Sequence, residues 1–98
     1  SYLSETAVYG KYVLKNKPDA KVAILTQNDD AGRDYANGFK KALGENAARM
    51  VVAEATYEAS DPSIDSQIVK LAASGADVFF MHAIPKQASQ GIRKVYEI

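Results

Sequence analysis

Apolar positions along the chain alternate between two periods. Over residues 4–16, "SETAVYGKYVLKN", Val8, Tyr9, Tyr12 and Val13 recur at helical spacing and predict a helix, with Tyr9 and Tyr12 on its core-facing side. Ser4 can cap its start and Pro18 stops it, while Gly10 in the middle costs about 1 kcal/mol relative to alanine. Residues 21–26, "KVAILT", form a short continuous apolar run, the pattern of a strand covered on both faces. Tyr35, Phe39, Ala42 and Leu43 then share one helical face within residues 33–45, with Gly44 or Asn46 as the stop. Residues 50–56, "MVVAEAT", predict a second strand. "SDPS", residues 60–63, reads as a helix start, with Ser60 or Asp61 as cap and Pro62 in the first turn. Ile64, Ile68, Leu71 and Ala72 carry that helix to "SGAD". A third apolar strand spans residues 77–81, "DVFFM", and Ala88, Ile92 and Val95 mark a last helix toward the end of the chain.

The predicted order is α-β-α-β-α-β-α, and strands alternating with helices call for a parallel sheet with crossover connections. The fold class is α/β: a three-layer αβα arrangement around an open parallel sheet, residues 1–98 forming a single domain. The simplest strand order puts the first strand between the second and the third. The third strand then has a free apolar edge, which is a pairing hazard. Two expectations follow: the domain is incomplete, with further strands beside "DVFFM" in a longer protein, or it self-associates through that edge.

Charge narrows the partners. Twelve basic and twelve acidic residues cancel, and no long block of one sign occurs, so a nucleic-acid or membrane-surface partner is not expected. The chain has no cysteine, hence no disulfide framework and no thiolate zinc site. No apolar run reaches the length of a membrane span.

In open parallel sheets, ligands bind beyond the carboxyl ends of the strands. The three loops at that edge are "QNDDAGR", "YEASDPS" and "HAIPK". The first lacks the G-x-G-x-x-G fingerprint, and its two carboxylates would repel a phosphate; no G-x-x-x-x-G-K-[ST] occurs either. An acid pair of the phospho-accepting receiver type would need another Asp at the end of the third strand, where "FFMHAIP" has none. Asp29, Asp30 and His82 fall on one edge, but too few ligands accompany them for a hard metal, and no settled third ligand is evident for zinc. His82 has neither a G-x-S-x-G serine nor a cysteine to activate, so no enzyme is expected. The plain account of the first loop is structural: Asn28, Asp29 or Asp30 caps a helix that begins near Gly32.

Three segments in register carry a resemblance. Asn28, Asp29, Gly32, Gly38 and Phe39, then Tyr57, Asp61, Pro62, Ser63 and Asp65, then "SGADVFF" at residues 74–80, are similar to segments of the solute-binding proteins of ABC importers for branched-chain amino acids (leucine, isoleucine, valine) and related ligands. That family has the type I periplasmic-binding-protein fold, two Rossmann-like α/β lobes closing over a ligand. The resemblance covers nearly the whole chain and implies a piece of the second, carboxy-side lobe. It implies an extracytoplasmic, periplasmic location, a small-molecule ligand, a membrane permease as partner and no cofactor. Carried over by position, the second-lobe ligand contacts are Asp30, Ala31, Gly32 and Arg33, together with His82, Ala83 and Ile84. Family members often place an aromatic cover just before the glycine, where this chain has Ala31, and often a tyrosine in the third loop, where it has "HAIP". Both departures point from leucine toward a bulkier ligand, such as an aromatic acid or an amide-like nutrient. The alternative on the same fold is the ligand-sensing domain of a receptor or regulator.

Overall fold

The computed structural model describes residues 2–61, 63–83 and 92–97, and for residues 2–6, 82–83 and 92–97 the backbone alone. Helix α1 spans Tyr2–Asn16, strand β1 Val22–Gln27 and helix α2 Asp30–Leu43. A 3₁₀ turn, Gly44–Asn46, and the short helix α3, Ala47–Met50, lead into strand β2, Val51–Tyr57. Helix α4 is Asp65–Ala72, and strands β3 and β4 are Val78–Ala83 and Ile92–Glu97. The sheet order is β2-β1-β3-β4, with β1 central and parallel to β2 and β3. This is the α/β fold with the strand order the sequence predicts.

Alternation of side chains along the strands divides the core in two. Val22 and Ile24 of β1 and Val78 and Phe80 of β3 face α1 and α2, packing with Val13, Tyr35, Phe39 and Leu43. Phe39 stacks on Phe80 with ring centroids 4.4 Å apart, and Tyr9 tilts against Phe80 at 6.0 Å. On the opposite face Ala23, Leu25, Tyr57 and Phe79 pack with Leu71 of α4. Helices on both faces explain why β1 reads as a continuous apolar run, and its first five residues are all buried. β2 lies at the edge, so its exposure alternates, and a register shift between Val22 and Ala23 puts a bulge opposite them.

Three expectations are corrected. First, α1 does not bury all of its predicted face: Val8 is 66% and Tyr12 53% exposed. The helix meets α2 along a narrow stripe through Tyr9, Gly10 and Val13, and a Cβ on Gly10 would lie 2.5 Å from Ala42 Cβ and 2.9 Å from the Phe39 carbonyl oxygen. Glycine lets the two backbones approach, which turns Val8 and Tyr12 away from the contact. Second, "SDPS" does not start α4. Asp61 accepts a hydrogen bond from the Glu58 N–H (2.8 Å) and returns its own N–H to the Glu58 carbonyl (3.0 Å), closing a turn. Helix α4 begins later, with the Asp65 N–H donating to Ser63 Oγ at 3.3 Å; Pro62 lies outside the described residues.

Third, the last segment is not a helix at residues 92–97. It is β4, antiparallel to β3, with Val78 paired to Glu97 and Ala83 to Ile92. The row of unpaired N–H and C=O groups on β3 draws a strand from the same chain, and "IRKVYE" contains the β-branched and aromatic residues that favour one. The sheet is therefore parallel over three strands and antiparallel at the fourth, and β3 has no free edge. Ala88, the other end of the predicted helix, lies outside the described residues.

Candidate functional site

The carboxyl ends of β1, β2 and β3 emerge at one edge of the sheet, at Gln27, Tyr57 and Ala83. β1 stands between the other two, so its loop is flanked by both. That loop is short and held at nearly every polar atom. The Asn28 N–H continues the ladder to the Tyr57 carbonyl (2.8 Å), and the Asp29 N–H turns back to the Gln27 carbonyl (2.9 Å). Asp29 is the N-cap of α2, in extended backbone conformation, and its Oδ1 accepts from the Gly32 N–H at 2.7 Å. The Arg33 N–H reaches the Asp29 carbonyl at 3.0 Å. Of the three residues that can cap this helix by sequence, Asp29 is the one that does.

Gly32 is required here for space. A Cβ would lie 1.9 Å from the Gln27 carbonyl oxygen. The first turn of α2 therefore sits directly on the end of β1.

A second string of polar groups runs across the outside of the edge. Asn28 Nδ2 donates to Glu58 Oε1 at 2.7 Å, which ties the loop after β1 to the loop after β2. Arg33 Nη1 donates to Asn28 Oδ1 (3.3 Å), and Arg33 Nη2 pairs with Asp30 Oδ1 at 2.6 Å. The Asp30 and Arg33 side chains are 97% and 57% exposed, so the pair is worth little in stability, but it orients the guanidinium along the rim.

The two acids thus have separate partners. Asp29 caps the helix, and Asp30 pairs with Arg33. Among the described residues no three metal-ligating side chains gather in one place.

Of the residues assigned by resemblance, Asp30, Ala31, Gly32 and Arg33 come together on the first turn of α2. His82 and Ala83 end β3, next to β1, with their side chains outside the described residues. Ile84 lies outside them altogether. Sequence reasoning missed Gln27 and the role of Tyr57. The signal was a polar amide ending an apolar strand, one asparagine before two acids. An open groove between β2 and α4, lined by Glu54, Thr56, Gln67 and Lys70, lies on the flank of the sheet and not at this edge.

The profile of a family described as "Periplasmic binding protein" matches residues 1–97. The chain belongs to the periplasmic binding protein family. It is similar to a protein of Brucella melitensis biotype 1 named "Leu/Ile/Val-binding protein homolog 3", 29% identical over 79 residues. That match covers 78% of this chain and 20% of the relative, so the chain spans about a fifth of the relative's length. No solved structure matches the chain. The family membership agrees with a partial periplasmic-binding-protein lobe, a parallel three-strand sheet flanked by helices. Among the described residues no helix is long and apolar enough to cross a membrane.

Proposed function

We propose that this chain is part of the carboxy-side lobe of an extracytoplasmic solute-binding protein that serves an ABC importer. In that role the carboxyl edge of the sheet forms one wall of an interlobe cleft. Ala31, Gly32 and Arg33 sit on it after β1, beside the end of β3 at His82 and Ala83, with Ile84 next in the sequence. The observation that carries this reading is the family match along residues 1–97. The tightly built turn between Gln27 and Arg33, at the edge where open α/β sheets take their ligands, supports it. The captured solute is a branched-chain amino acid or a related small molecule, the class that the name of the Brucella relative indicates.

Capture works by differential contact. A ligand shifts the open–closed equilibrium only through interactions it makes in the closed state and lacks in the open one. The small side chain at Ala31 leaves room where a larger residue would cover the ligand, which favours a bulkier solute, such as an aromatic acid or an amide-like nutrient, over leucine. Calorimetric titration of the two-lobed protein that contains this chain tests both levels. Binding of benzoate or phenylacetate in preference to L-leucine is expected. Tight leucine binding with no aromatic-acid binding overturns the ligand assignment, and no binding of any amino acid, aromatic acid or amide overturns solute capture.

A further inference from the structure

One polar side chain at the cleft edge is held at both ends. Gln27 and Tyr57 are register partners at the ends of β1 and β2. Their side chains stand together on the α4 side of the sheet, where Tyr57 is 6% exposed. The Tyr57 hydroxyl donates to Gln27 Oε1 at 3.3 Å, and Gln27 Nε2 donates to Asp29 Oδ2. The other oxygen of that carboxylate accepts the Gly32 N–H at 2.7 Å. A continuous relay therefore runs from β2 through the Gln27 amide to the first turn of α2. Each link has one chemical sense: a hydroxyl gives to an amide oxygen, and an amide nitrogen gives to a carboxylate.

We propose that Gln27 is a positioning residue for the binding edge: gripped by Tyr57, its amide orients the Asp29 carboxylate and so sets where Ala31, Gly32 and Arg33 stand. The proposal rests on the binding role above for its consequence, but not for its geometry. Without the amide donor, Asp29 keeps one oxygen on Gly32 but loses the contact that fixes the carboxylate plane. The turn then has freedom to shift against β1, and precise placement of contacts is what a binding edge requires.

The test exploits the sense of the bond. Gln27→Glu puts a second carboxylate against Asp29. Carboxylates in contact hold one proton between them in weak acid and repel each other once it is lost. An amide does not titrate, so the native relay persists across the same range. In the 98-residue chain, the Gly32 amide-proton shift of Gln27→Glu is expected to match the wild type at pH 5 and to move upfield by pH 8. The wild-type signal stays in place, and the Ile24 and Phe80 amides report an unchanged sheet.

In the two-lobed protein, whichever of L-leucine and benzoate binds the wild type is expected to bind Gln27→Glu about tenfold more weakly at pH 8 than at pH 5, a difference absent from the wild type. A Gly32 shift that follows the wild type at both pH values overturns the proposal, as does a change at Gly32 matched by equal changes throughout β1. Tyr57→Phe covers failure of Gln27→Glu to fold. It removes only the hydroxyl, and several-fold faster exchange at Gly32 is expected, with unchanged exchange counting against the relay. A wild-type two-lobed protein that binds neither probe tells against the binding role alone and leaves the Gly32 measurements to decide on Gln27.

Discussion

Two glycines, Gly32 and Gly10, permit close approaches that a side chain would block. At Gly32 an added Cβ meets the Gln27 carbonyl oxygen at 1.9 Å, a backbone atom that cannot rotate away. Gly32→Ala is expected to destabilise by about 2–3 kcal/mol, the upper range for overpacking, read from the midpoint of urea unfolding. At Gly10 two effects oppose each other. Alanine gains about 1 kcal/mol of helix propensity, yet its methyl would lie 2.5 Å from Ala42 Cβ. The clash wins, because relieving it means moving α1 off α2. Gly10→Ala is expected to lower stability by roughly 1 kcal/mol net. A gain in stability would mean that the two helices separate at little cost. Neither glycine acts through a left-handed conformation; both supply the absence of a side chain.

For the helices, the contrast lies between two faces of similar composition. Val8 and Tyr12 are one turn apart on α1 and point to solvent, whereas Phe39 of α2 is fully buried against Phe80. Replacing Val8 and Tyr12 together by serine is expected to change the unfolding free energy by no more than about 0.5 kcal/mol. Phe39→Ala is expected to cost about 3–5 kcal/mol, a large share of the stability of a small domain. Chemical denaturation of the two variants side by side checks the assignment, and a large loss for the serine pair would place α1 in the other rotation. The ion pair between Lys40 of α2 and Glu54 of β2, 2.8 Å long and partly exposed, adds no more than about 1 kcal/mol to this packing.

At the scale of the whole molecule, β4 closes the edge that the three parallel strands leave open on β3. Truncating the chain after Ala83 is expected to expose that edge and to give concentration-dependent association in sedimentation velocity, relative to the intact 98-residue chain. A truncated chain that sediments as the same monomer would show that β4 is dispensable for shielding β3. The proposed function makes a second prediction at this scale. On that reading the chain carries one wall of the cleft and cannot close on a ligand, so its Kd is expected to lie above about 1 mM. At 1 mM L-leucine or benzoate the stabilisation is then below about 0.4 kcal/mol, and the thermal midpoint of the isolated chain is expected to move by no more than about 2–3 °C. A larger shift would contradict the two-lobe requirement.

The types of the main elements up to β3, the order β2-β1-β3 and the edge that carries the candidate site were legible in the sequence, because helix and strand periodicities are local and because a parallel sheet puts its strand ends together. The continuous apolar run at residues 22–25 and the face formed by Tyr35, Phe39 and Leu43 state their burial directly. The partner of each polar group was not legible. Asn28, Asp29 and Asp30 are all able to cap a helix, and only the approach of Gly32 to the end of β1 selects Asp29, leaving Asp30 for Arg33 and Asn28 for Glu58. Gly10 looks like a weak point in α1 until α2 is packed against it. Ile92 and Val95 fit a helical stripe as well as a strand, and the open backbone edge of β3 decides between them. Periodicity is written in neighbours two to four residues apart; the Gly10–Ala42 approach and the Asn28–Glu58 and Tyr57–Gln27 hydrogen bonds join segments 30 or more residues apart, which only the folded chain brings together.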